Sequence, residues 1–150
     1  MGKNITLKAS DGHEFTAYRA DPAGAPKGSM IVIQEIFGVN DHIRSACDRV
    51  AANGYIAVAP ALQDRAQKGF EVGYTPADVD KGREVRGKVK NEDSLKDLRA
   101  TFDYLTSQNA GRIGTVGYCW GGSLAWLAAT EIDGLAVAIS YYGGERANNT

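Results

Sequence analysis

Cysteine, histidine and long apolar runs are all scarce in this 150-residue sequence, and each shortage removes a class of protein. The two cysteines, Cys47 and Cys119, lie too far apart in the chain to form a disulfide framework, and no spacing suggests a zinc site. No metal or other cofactor is expected. Lysine and arginine total 17 against 18 acidic residues, a net charge of −1, so no excess positive charge invites nucleic acid or an anionic membrane. The longest apolar stretches are strand-sized, far short of the ~20 residues needed to span a bilayer. The N-terminus lacks the apolar core of a secretory signal, which makes a cytoplasmic protein the expectation. Met1-Gly2-Lys3-Asn4-Ile5-Thr6 fits a loose myristoylation pattern but reads as the lead into a strand. The length suits a single domain over residues 1–150 with one hydrophobic core.

What is present is an alternation of strands and helices. Ile5 to Lys8 and Phe15 to Arg19 alternate apolar and polar around the turn Ser10-Asp11-Gly12-His13, which predicts a hairpin. Ser29 to Gln34 is a continuous apolar run, as in a strand buried on both faces. Asn40 or Asp41 can cap a helix that places Ile43, Ala46, Cys47, Val50 and Ala51 on one face and ends at Asn53-Gly54. Tyr55 to Ala59 is a second buried strand. From Leu62 to Asn91 the pattern is irregular, polar and glycine-containing, the profile of an excursion over a sheet edge. A helix is predicted over Ser94 to Ser107, a strand over Arg112 to Val116, a helix over Gly122 to Ala129 and a strand over Gly134 to Ser140. This order predicts an α/β fold: a mostly parallel sheet with helices on both faces and an antiparallel hairpin at its N-terminal end.

Between the last strand–helix pair lies Gly117-Tyr118-Cys119-Trp120-Gly121, which has the spacing of a nucleophile elbow with cysteine in the serine position. Such a turn raises its central side chain above the carboxyl end of a strand, where open α/β sheets place their sites. The following helix offers free N–H groups and the positive end of its dipole to a thiolate. Cys119 is therefore a candidate nucleophile. Cys47, on the apolar face of the first helix, reads as packing.

Several segments together resemble the dienelactone hydrolase family of the α/β-hydrolase superfamily. They are Gln34-Glu35-Ile36-Phe37-Gly38, Ile43-Arg44, Gly54-Tyr55-Ile56-Ala57-Val58-Ala59-Pro60, Val116-Gly117-Tyr118-Cys119-Trp120-Gly121-Gly122 and Tyr141-Tyr142-Gly143-Gly144. The resemblance implies a cysteine hydrolase acting on an enol-lactone or a related activated ester, a small-molecule substrate. It implies that Cys119 is the nucleophile and that Glu35 matches the carboxylate that helps ionise it, a task a carboxylate beside a thiol is suited to. Backbone N–H groups of Ile36 and Trp120 would form the oxyanion hole. Family members hold a substrate carboxylate with arginine from the excursion, for which Arg83 is the candidate here and Arg86 the alternate.

The sequence departs from the family after its fourth parallel strand. The family completes the elbow cysteine with an aspartate and then a histidine further along the chain; here Asp133 comes too early, and His13 and His42 lie in the wrong order. By this reading the C-terminal strands and helix of the fold are missing and turnover is impaired. A non-catalytic binding module and a redox-active thiol protein remain alternative readings. The last strand, Leu135 to Ile139, would be an open apolar edge, which predicts a homodimer formed through it.

Overall fold

Alternating patterning gives two antiparallel strands, β1 (Lys3–Lys8) and β2 (Glu14–Ala20), in register from Lys3 opposite Arg19 to Lys8 opposite Glu14. The computed structural model describes residues 2–109 and 111–142. The uninterrupted apolar runs become β3 (Ser29–Ile33) and β4 (Ile56–Pro60), followed later by β5 (Ile113–Tyr118) and β6 (Leu135–Tyr141). The strand order is β1-β2-β4-β3-β5-β6; β4, β3, β5 and β6 run parallel, and β2 joins the sheet antiparallel to β4.

Strand periodicity divides the core into two layers. Ile31 and Ile33 of β3 point to one face, with Leu98 and Leu105 of α3 (Asn91–Ser107) and Leu124 of α4 (Trp120–Glu131). Val32, between them, points to the other face, against Ile43, Ala46 and Cys47 of α1 (Asp41–Ala52). The predicted α1 stripe is thus the one buried, with Asn40 as its cap: the Asn40 side chain accepts from the Ile43 N–H at 3.2 Å.

The stretch read as an irregular excursion is more ordered than its composition suggests. It contains a 3₁₀ turn, Leu62–Arg65, and a helix, α2 (Pro76–Arg86). Local chemistry starts α2: Thr75 and Asp78 form a reciprocal capping box and Pro76 occupies the first turn. Only Gly82 and Val85 of α2 are buried, so its apolar stripe is too thin for periodicity to reveal. The 3₁₀ turn is anchored from beneath. Arg65 donates to both oxygens of the fully buried Asp97 (3.1 and 2.8 Å) and to Asp11 (2.8 and 3.2 Å). Burial raises the Asp97 pKa despite Arg65, whereas the bond from Arg65 lowers that of Asp11.

At the opposite edge, β6 pairs with β5 alone among the described residues, and Val137, Ile139 and Tyr141 are exposed. No described helix is long and apolar enough to cross a membrane.

Candidate active site

The elbow forms because two glycines let three backbone segments meet. A Cβ on Gly117 would collide with the Gly121 carbonyl, and one on Gly121 would collide with the carbonyls of Ile33 and Gln34. Cys119 between them takes φ 56° and ψ −117°, a conformation that costs an L-residue energy and persists only where its surroundings hold it. Here the Cys119 N–H donates to the Tyr141 carbonyl (2.9 Å), and the Cys119 carbonyl accepts from Gly122 (2.9 Å) and Ser123 (3.2 Å). The side chain stands exposed at the N-terminus of α4.

Gly121 also seats the elbow against the end of β3, where the chain turns through Gln34, Glu35 and Ile36. Two buried glutamines fix that turn. Gln34 Nε2 donates to the Glu35 carbonyl (2.9 Å) and to Gln63 Oε1 (2.7 Å), and Gln34 Oε1 accepts from the Leu62 N–H (2.9 Å). Gln63 Nε2 donates to the Ile36 carbonyl (2.8 Å). Helix α2 closes over the same point: a Cβ on Gly82 would lie 2.8 Å from the Ile36 carbonyl oxygen.

The half-buried Glu35 accepts a hydrogen bond at Oε1 from the Tyr74 hydroxyl (2.9 Å). Asn40 donates to the same Tyr74 oxygen (3.3 Å) and to the Val72 carbonyl (3.2 Å) while capping α1. The Tyr74 ring meets Phe37 edge-on, with centroids 4.7 Å apart. The loop carrying Tyr74 is tied down by the Val72 N–H bond to the Phe37 carbonyl (3.0 Å) and by a bridge between Gly38 and Glu71. Arg44 spans the same junction, donating to the Val39 carbonyl (2.6 Å) and to the Asp41 and Glu71 carboxylates. Gly38 has φ 83°, and a Cβ there would strike the Phe70 carbonyl, which makes glycine necessary. Burial pushes the Tyr74 phenol pKa up, the bond from Asn40 opposes that shift, and Glu35 reinforces it. The Tyr142 phenol pKa is raised by burial first and then by the charges of Glu35 and Cys119.

The predicted arginines separate. The Arg86 guanidinium lies 5.3 Å from the ring centroid of Trp120, beside Cys119, whereas Arg83 is exposed on α2. Trp120 is buried, and its indole N–H reaches Asn91 Oδ1 at 3.4 Å. Neither the Ile36 nor the Trp120 backbone N–H has a hydrogen-bond acceptor among the described residues. His42 packs against Tyr74 and Tyr118, and His13 stacks on Phe15 in the hairpin; no hydrogen bond links either to Cys119 among the described residues. No described group of three or more histidines, cysteines and carboxylates could hold a metal ion.

Sequence reasoning missed Gln63 and Tyr74. Gln63 is one polar residue after a strand and carries no local signal. Tyr74 directly precedes the Thr75-Pro76 helix start, and the capping chemistry there could have drawn attention to it. A cleft of about 390 Å³ lined by Asn40, His42, Glu71 and Tyr74 adjoins this phenol. A cavity of about 170 Å³, lined by Thr16, Tyr18, Asp64 and Phe70 among others, includes neither Cys119 nor Glu35. Of the Tyr141-Tyr142-Gly143-Gly144 segment, the two glycines lie outside the described residues, as does the polar tail 145–150.

A cysteine elbow at the carboxyl end of a central parallel strand, in a mixed sheet covered by helices on both faces, defines an α/β-hydrolase-like protein. The family model "Dienelactone hydrolase family" matches residues 15–150. A relative from Synechocystis sp. is 39% identical over 134 residues, which is 87% of this chain and 54% of the relative. Carboxymethylenebutenolidase from Pseudomonas putida is 36% identical over 151 residues, covering 95% of this chain and 61% of that protein. A crystal structure from Klebsiella pneumoniae superposes with a TM-score of 0.81 at 34% identity, covering 95% of this chain and 60% of the other. The chain belongs to the dienelactone hydrolase family. It spans about half the length of the curated relatives it matches.

Proposed function

We propose that Cys119 is the nucleophile of an acyl transfer from an enol-lactone or a related activated ester. The observation that carries this reading is the exposed thiol held at positive φ on the elbow, seated against the strand end that bears Glu35. Glu35 takes the thiol proton, and the thiolate attacks the substrate carbonyl. The N–H groups of Ile36 and Trp120 receive the developing oxyanion. Collapse of the intermediate breaks the acyl C–O bond, the leaving oxygen takes the proton back from Glu35, and a thioester remains on Cys119. In this reading Arg86, beside Trp120, meets the substrate carboxylate, and Arg83, exposed on the same helix, is the alternate. Water then hydrolyses the thioester.

A chromogenic activated ester tests the scheme. The expected result is a burst of about one equivalent per chain as the thioester forms on Cys119, and loss of the burst in Cys119→Ser. Equal rates for the two proteins would overturn it and favour a binding module. Self-association through the exposed β6 edge is part of the same reading, and a compact monomer in sedimentation at micromolar concentration would remove it.

A further inference from the structure

The phenol of Tyr74 occupies an oxygen of the carboxylate that the proposed mechanism needs as a base. Tyr74 is 54% exposed, so its hydroxyl could be satisfied by water; it is instead aimed at Glu35 Oε1 at 2.9 Å. The aim is built in. Asn40 bonds the same hydroxyl, Phe37 and His42 flank the ring, and Arg44 clamps the loop through Glu71. Among the described residues, Tyr74 is the hydrogen-bond partner of the Glu35 carboxylate and the Cys119 thiol is not.

We infer that Tyr74 is a positioning residue that latches Glu35 in a resting orientation, and that its release sets how readily Cys119 ionises. A carboxylate oxygen that already accepts a phenol proton is a weaker base toward a neighbouring thiol. A ligand that enters beside Tyr74, in the cleft lined by Asn40 and His42, and offers its own acceptor oxygen would draw the phenol away. The freed Glu35 would then take the Cys119 proton when an electrophile is at hand. This inference rests on the general-base reading of Glu35.

The test is the rate at which iodoacetamide alkylates Cys119, followed by intact mass on the full chain in four forms: unmodified, Tyr74→Phe, Glu35→Gln and the double variant. Phenylalanine keeps the ring contacts with Phe37 and His42 and deletes only the hydroxyl, and a thermal melt verifies that the fold is retained. Tyr74→Phe is expected to alkylate about fivefold faster, in keeping with the net worth of one hydrogen bond. Glu35→Gln should be slower, and the double variant should match Glu35→Gln, because the effect of Tyr74 runs through Glu35. A merely structural role for the hydroxyl would not reproduce that dependence. If Tyr74→Phe is unchanged or slower while Glu35→Gln is slowed, the latch is overturned and the base reading stands. An equal acceleration in the Glu35→Gln background also overturns the latch. An unchanged rate in Glu35→Gln overturns both.

Discussion

The two cysteines lie in opposite surroundings within one small sheet. Cys47 sits on α1 with its side chain fully inside the second core layer, among Val32, Ala57 and Val116. Burial first, and then the neighbouring Asp48 charge, push its thiol up to about 12. Cys119 stands exposed at the start of α4, on a backbone turn that only its glycine neighbours permit. Residue type is the same in both places. Reactivity is decided by whether the thiolate would be desolvated or would face water and helix N–H groups.

The largest expected effect sets the two thiols directly against each other. At pH 8 roughly one Cys47 in 10⁴ is ionised, from the standard titration relation. Native protein treated with iodoacetamide should therefore take one adduct, at Cys119, with a second appearing only in denaturant; peptide mapping checks this, and rapid native labelling of Cys47 would break the contrast. Next comes the backbone that creates the difference. Gly121→Ala drives a methyl group into the carbonyls of Ile33 and Gln34 and should cost about 3 kcal/mol in a urea melt, with loss of the ester burst. The smallest effect is a dependence on pH. Because the folded Cys47 pKa is raised, the unfolded chain releases its proton first as pH rises, so stability is full below pH ~9 and declines toward pH ~12. Cys47→Ala should lose that slope while also losing some stability at neutral pH, as measured by melts over a pH series.

Much of this was legible in the chain itself. The uninterrupted apolar runs marked β3, β4 and β5 because a strand covered on both faces has no polar side to show. The glycines around Cys119 marked the elbow because a close backbone approach tolerates no side chain. The α2 helix was hidden, since a capping box and a proline start it without an apolar stripe behind them. Gln63 and Tyr74 were hidden for a different reason. Their partners, Gln34 and Glu35, are 29 and 39 residues away, and contacts at that range leave no periodic trace.

The sequence by itself thus determined the strand–helix alternation, the elbow and the identity of the thiol it raises, all of which rest on local sterics and patterning. Tertiary structure decided what gathers around the elbow. Only the folded sheet brings the end of β3 against the elbow, lays α2 across Ile36, sets Arg86 rather than Arg83 beside Trp120, and aims Tyr74 at Glu35. These are meetings between segments distant in the chain, fixed by the packing of the whole sheet and its helices.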